Sequence, residues 1–342
     1  MSRVVTFGEL MLRLNPHGFE RFLQASSFEA TYGGAEASVA ASLVNYGIPS
    51  AFVTCLPPND IGQAAVNYLR HYGIDVSHIV RQGERIGIYF VETGSNHRPS
   101  KVIYDRAHSA MSEVDPGKLR WSDIFSGADW FHFTGITPAI SQKAADATLG
   151  ALKAAKERNL TVSCDLNYRG KLWKYGKTPE EVMTNLMPFV YILIGNEEDC
   201  EKMFGVKGAD VKVAEQVSAE NYLHVAEQMT KRFPHLKKLA ITLRGSISAS
   251  HNTWSAVLYD GARLHTTRQY DIENIVDRIG AGDAFTGALI YCLMSGRTDQ
   301  DALDFATAAG ALKHTIPFDI NLVTPQEVES LVKEGGAGRV QR

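Results

Sequence analysis

Short apolar runs alternate with stretches of helical spacing over most of the chain. Val4–Phe7, Ala51–Thr54, Trp130–Phe133, Val162–Asp165, Tyr191–Ile194, Lys238–Thr242 and Ser255–Tyr259 read as strands. Several are continuously apolar, which predicts parallel strands buried on both faces. Between them, Ala35–Tyr46 carries small and apolar residues at helical spacing, and Gln142–Arg158 is rich in Ala, Leu and Lys. Ala281–Met294 and Asp301–Thr315 add two helices late in the chain. This alternation predicts an α/β fold: a layered, mostly parallel sheet with helices on both faces.

Two segments break the rhythm. Residues 10–33 mix aromatic and polar positions with little helical pattern. Residues 84–107 read as a hairpin, with arms Ile86–Glu92 and Lys101–Arg106 around a polar turn holding Gly94, Ser95, Asn96 and Pro99. Two β excursions from an α/β body predict a small sheet beside the main one. It can serve as a lid over a cleft, as an edge for self-association, or as both. The expected organisation is a core of residues 1–9, 34–83 and 108–333, a lid of 10–33 and 84–107, and a flexible tail over 334–342.

Composition narrows the setting. Of 342 residues, 44% are hydrophobic and 21% charged, which suits a soluble globular protein. A net charge of −3 gives no global basic field for nucleic acid or an anionic membrane. The sequence has no apolar run of about 18 residues and no long apolar segment at its start, so a cytoplasmic protein is expected. Cys55, Cys164, Cys200 and Cys292 are far apart and lack metal-ligand spacing, so free thiols are expected.

The strongest chemical feature is Gly280-Ala281-Gly282-Asp283, which opens a helix-compatible stretch. Small residues let the backbone turn tightly, and amides at a helix N-terminus point outward, where they can hold a phosphate. A carboxylate beside such a site suits a base that deprotonates an attacking hydroxyl. On local spacing alone, a glycine turn with Asp283 capping the helix is an equal reading.

Gly280-Ala281-Gly282-Asp283-Ala284-Phe285 resembles the C-terminal signature of the ribokinase-like carbohydrate kinases, the PfkB family. Gly33-Gly34-Ala35-Glu36-Ala37-Ser38-Val39-Ala40 is similar to that family's N-terminal Gly-Gly motif. Asp60-Ile61-Gly62 resembles its next turn, and Asn196-Glu197-Glu198-Asp199 its Asn-x-x-Glu metal motif. The resemblance covers most of the chain and implies a three-layer α/β/α sandwich with a β-sheet lid. It implies that Asp283 is the base and that Gly280, Ala281 and Gly282 form an anion hole. It also implies ATP and Mg²⁺, with Asn196 and Asp199 placing the metal through water. Spacing alone equally allows Asn196 as a helix N-cap with Asp199 in the first turn.

Three positions depart from the pattern. Ser38 replaces the usual Asn, Asp199 stands where Glu is usual, and Thr242-Leu243-Arg244-Gly245 replaces the common Thr-Leu-Gly nucleotide loop. Thr242, Arg244, Gly245, Asn196, Gly280 and Gly282 are the expected ATP contacts. Arg244 can touch phosphates or be solvated. Ala308 offers either a small surface for adenine or plain helix packing.

A narrower resemblance lies in Gly8-Glu9-Leu10-Met11-Leu12-Arg13, Ile88-Tyr89-Phe90, Tyr104-Asp105-Arg106 and Asn167-Tyr168-Arg169, which look like the 2-keto-3-deoxygluconate kinases. It implies that Gly33, Gly34, Tyr89, Tyr104, Arg106, Arg169 and Asp319 contact a sugar acid. Two arginines aimed at one cleft suit a carboxylate, each charged hydrogen bond contributing about 1.5–3 kcal/mol. The expectation is ATP-dependent phosphorylation of the sugar acid's 6-hydroxyl. A kinase of a neutral sugar such as fructose or ribose, and a sugar-acid-binding regulator on the same fold, are the competing readings.

Overall fold

The computed structural model describes residues 3–196, 198–207 and 219–335. Along the chain the strands are β1 (Val4–Phe7), β2 (Met11–Asn15), β3 (Glu29–Gly33), β4 (Ser50–Val53), β5 (Cys55–Leu56), β6 (Val80–Arg81), β7 (Gly87–Glu92) and β8 (Lys101–Asp105). They continue with β9 (Trp130–Thr134), β10 (Thr161–Asp165), β11 (Ile192–Asn196), β12 (Lys238–Ser248), β13 (His251–Tyr259), β14 (Leu264–Thr266) and β15 (Tyr270–Glu273).

Among the described residues the main sheet has nine strands in the order β14-β13-β12-β11-β10-β9-β1-β4, with β15 also paired to β13. From β4 to β12 every neighbour is parallel, while β13, β14 and β15 close that end antiparallel. Alternate residues of the parallel strands feed different cores, with Phe52 of β4 facing a third. Val5, Phe7, Phe131, Phe133, Val162 and Cys164 face one. Val4, Trp130, Ile192, Ile194 and Ala240 face a second. With both faces covered, these strands are mostly apolar, and the polar residues they do carry, Thr6, His132 and Ser163, are buried and hydrogen-bonded.

The helix Ala281–Met294 lies on the second face, against the helices Ala35–Asn45 and Asp299–Lys313. Its small residues allow close approach: a Cβ on Gly287 would stand 2.7 Å from the Cβ of Ser42. None of the described helices is long and apolar enough to cross a membrane. All four cysteines are buried and free.

A separate four-stranded sheet, β3-β2-β7-β8, lies beside the C-terminal ends of the parallel strands. In it β2 and β7 run parallel, and the outer pairs run antiparallel. The turn between β7 and β8 reaches across to the β12–β13 hairpin. Ala249 N donates to Asn96 O at 2.7 Å, and Asn96 N donates to Ser250 Oγ at 3.0 Å.

Several elements differ from the sequence expectation. Asp60-Ile61-Gly62 is the first turn of a helix, Asp60–His71, capped by Asn59 Oδ1 accepting from Gly62 N at 3.0 Å. Strands β12 and β13 extend beyond their apolar centres to Ser248 and His251, where pairing continues through polar residues. Lys333 and Glu334 end the helix Pro325–Glu334, and Gly335 closes it with φ of 72°. Helix thus replaces the expected start of the tail at 334, and the tail's remaining residues, 336–342, lie outside the described residues.

Candidate active site

The C-terminal ends of the parallel strands and the small sheet enclose a cleft of about 590 Å³. The turn before Asp283 is shaped by its glycine. Gly280 has φ of 86°, and a Cβ there would lie 2.3 Å from the carbonyl oxygen of Asp319. Only glycine fits that close, left-handed approach. Asp283 follows in the first turn of the helix and faces the cleft with Gly280 and Gly282. Burial, together with the nearby Asp165, Asp319 and Glu36, pushes its carboxyl well above the ordinary range, while Arg169 opposes that rise.

Two more glycines admit close contact on the opposite wall. A Cβ on Gly33 would fall 2.0 Å from the Tyr89 hydroxyl and 2.6 Å from the Asp319 carboxylate. A Cβ on Gly34 would fall 2.3 Å from the backbone oxygen of Glu9. Tyr89 and Tyr104 are cross-strand partners whose rings stack 6.0 Å apart. Tyr89 is buried and Tyr104 is exposed toward the cleft.

Arg106 stands one residue beyond β8, its guanidinium 5.7 Å from the centre of the Tyr104 ring. It is ion-paired with Glu9, which also accepts from Ser109. Its buried Nε–H finds no acceptor among the described residues. Arg169 is more open and donates to Tyr168 O at 2.9 Å. Its charge is felt by Asp165, Asp199 and Asp283.

Asn196 and Asp199 brace each other. Asn196 Oδ1 accepts from the amides of Glu198 and Asp199, at 2.9 and 3.1 Å. Asp199 accepts from Asn196 N at 3.0 Å and from Tyr168 N at 3.1 Å. Asp199 does open the helix Asp199–Phe204, but the N-cap of that helix is Glu198 rather than Asn196, and the side chains of Asn196 and Asp199 both line the cleft. Glu197 of that motif lies outside the described residues.

Sequence reasoning assigned no role to several lining residues. Asp165 ends β10, and burial plus the neighbouring Asp199 push its carboxyl up to about 8. Glu36 is buried, and Thr134 and Thr137 donate to its Oε1 at 2.8 and 2.7 Å. Arg278 lines the cleft and donates to Ala249 O at 3.1 Å and to Ser248 O. A polar residue at the C-terminal end of a buried strand was the available signal for Asp165.

On the nucleotide side, Thr242 and Arg244 line the cleft, with Arg244 5.3 Å from the ring centre of Trp254. Two expected ATP positions, and Ala281 of the expected anion hole, fall elsewhere. Gly245 is exposed further along β12, opposite Thr253. Ala281 and Ala308 are wholly buried. Ala308 belongs to the apolar cluster behind the sheet, so its small side chain serves helix packing rather than a ligand surface.

The donor set suits a divalent cation. Seven carboxylates line the cleft (Glu9, Glu36, Asp165, Glu198, Asp199, Asp283 and Asp319), against four arginines. Burial raises the carboxyls of Asp165 and Asp199, and a cation bound between them would favour their ionised forms. Asp165, Asn196, Glu198 and Asp199 are the residues that would hold Mg²⁺, with water completing its shell because that ion dehydrates reluctantly.

A mostly parallel sheet, a glycine turn opening a helix and a carboxylate beside it form the ribokinase-like architecture of small-molecule kinases. The chain belongs to the pfkB family of carbohydrate kinases, whose model matches residues 1–317. A 2-dehydro-3-deoxygalactonokinase of Haloferax volcanii is 32% identical over 337 residues, covering 98% of both chains. A 2-dehydro-3-deoxygluconokinase of Thermoproteus tenax is 28% identical over 340 residues, covering 97% of this chain and 95% of that one. The crystal structure of 2-dehydro-3-deoxygluconokinase from Thermotoga maritima matches with a TM-score of 0.91 and 47% identity, covering 97% of this chain and 98% of that one.

Proposed function

We propose that the protein transfers the γ-phosphoryl group of ATP to the 6-hydroxyl of 2-keto-3-deoxygluconate, giving 2-keto-3-deoxy-6-phosphogluconate and ADP. The observation that carries this reading is one cleft holding Asp283 at a helix N-terminus together with Arg106 and Arg169. The arginines bind the sugar acid's carboxylate, and Tyr89 and Tyr104 flank its carbon chain. Asp319 and the close-approach glycines Gly33 and Gly34 complete that wall. The terminal hydroxyl then lies at Asp283, which takes its proton as oxygen attacks phosphorus in line. Amides of Gly280, Gly282 and Asp283 receive the charge that develops, a contribution of about 2.7–4 kcal/mol per donor. Thr242 and Arg244 lie along the triphosphate. Asp165, Asn196, Glu198 and Asp199 would hold Mg²⁺, which when bound would supply neutralisation of phosphate charge.

The small sheet acts as a lid whose closure excludes water and limits ATP hydrolysis. Its surface carries exposed Phe19, Leu23, Phe28 and Ile103, which supports self-association through the lid. The reading places the enzyme in the cytoplasm, acting on small molecules.

A panel of 2-keto-3-deoxygluconate, its C4 epimer 2-keto-3-deoxygalactonate, fructose and ribose, assayed with ATP by ADP release, tests the reading. Turnover is expected on the keto-deoxy acids. The epimer belongs in the panel because the Haloferax volcanii relative carries the galactonate name. Faster turnover of a neutral sugar would overturn the carboxylate argument. Sugar-acid binding without ADP release would favour the regulator reading.

A further inference from the structure

Lys313 ends the helix Asp299–Lys313, and its side chain is completely buried. Its ammonium makes one hydrogen bond among the described residues, to the carbonyl of Ile316 at 3.0 Å. Its Cε lies 3.2 Å from where a Cβ on Gly280 would stand, so the charged end packs beneath the glycine turn. The other fully buried cation of this region, Arg13, is differently placed. Arg13 is neutralised directly, by Asp277 at 2.6 Å and Asp319 at 2.7 Å. Lys313 has no carboxylate in hydrogen-bonding contact among the described residues; burial lowers its pKa from the ordinary value, and nearby Asp277, Asp319 and Asp283 oppose that fall only in part.

Burying an ammonium against a single carbonyl is expensive, and an apolar residue would fill the same space at lower cost. The expense has a physical return if negative charge gathers on the other side of the turn. That is where Asp283 sits and, on the kinase reading, where the transferring phosphoryl group passes.

We propose that Lys313 is a positioning residue for phosphoryl transfer: its ammonium is a fixed internal cation beneath the Gly280–Gly282 turn, holding the turn's shape and offsetting the charge that develops above it. The inference rests on the kinase reading. It assigns Lys313 an effect on the chemical step rather than on sugar binding.

The test compares wild type with Lys313→Met, Lys313→Gln and Lys313→Ala in steady-state turnover of 2-keto-3-deoxygluconate and in thermal unfolding. Loss of a charge acting through one backbone layer is expected to lower kcat by about 10- to 100-fold, below or near the loss of a direct oxyanion donor. KM for the sugar acid should stay within about twofold. Lys313→Gln can still donate to Ile316 O, so it should recover stability but not kcat. Lys313→Ala should regain part of its kcat on addition of ammonium or methylammonium at constant ionic strength. Full kcat in folded Lys313→Met or Lys313→Gln would overturn the proposal. So would failure of every variant to fold, because the charge would then be a requirement of the fold. An inactive wild type on every acceptor would remove the kinase reading and this inference together; an active wild type with unaffected variants would remove only this inference.

Discussion

Tyr89, on the small sheet, donates to Asp319, in the core, at 2.7 Å. The same carboxylate oxygen accepts from Arg13 at 2.7 Å, so one buried acid ties two strands of the small sheet to the loop under the glycine turn. Removing one partner of a buried ion pair costs about 3–5 kcal/mol, because the remaining charge is left uncompensated. A hydrogen bond to a charged group contributes about 1.5–3 kcal/mol. Asp319→Ala is therefore expected to destabilise more than Tyr89→Phe in urea unfolding. Equal or reversed effects would show that Asp277 alone satisfies Arg13.

Asp283→Asn keeps the size of the side chain and removes the base. General-base catalysis contributes about 10²- to 10⁴-fold, so kcat should fall by that factor while KM for the sugar acid changes little. Undiminished turnover would show that the carboxylate is not the base.

Arg106 enters the reaction already paired with Glu9 through Nη2, which leaves other donors of its five-donor guanidinium fork for a substrate carboxylate. If that arginine also holds the substrate carboxylate, Arg106→Ala should lower kcat/KM for the sugar acid by about 2–5 kcal/mol. A neutral acceptor should lose much less. A change below about 0.5 kcal/mol on the sugar acid would mean that Arg106 serves only Glu9.

The main sheet was legible because strands buried on both faces leave continuous apolar runs, and Ala281–Met294 was legible to the residue from its small-residue start. Strands β14 and β15 carry no such signal: they are short, partly polar edge elements whose pairing depends on β13. Most residues expected in the site do line one cleft, since motifs at strand ends converge in such a fold. Ala308 went the other way. A small helix residue reads alike whether it faces a ligand or a neighbour, and here the helix admits Trp254, whose ring lies 2.8 Å from a Cβ built on Gly310. Glu9, Glu36 and Lys313 each meet partners far away in sequence, at Arg106, at Thr134 and beneath Gly280, and such contacts leave no local pattern.

Asp165 gives the site a pH signature. Its carboxyl is pushed from the ordinary range up to about 8 by burial and by Asp199. Between about 3.9 and that value the folded protein keeps a proton that the unfolded chain has released, so stability falls as pH rises. Asp199 and Asp283 shift in the same direction. His132 and His314, whose pKa values are lowered by burial, act oppositely below about pH 6.5, so the informative window is about pH 7 to 8.5. Within it the melting temperature of the ligand-free protein should fall, with one such group contributing at most about 1.4 kcal/mol per pH unit. Asp165→Asn should flatten that slope in part. Mg²⁺ should stabilise the wild type more at the upper end of the window than at the lower, because the cation needs the ionised carboxylate. An unchanged slope in Asp165→Asn would mean that Asp165 is already ionised at pH 7.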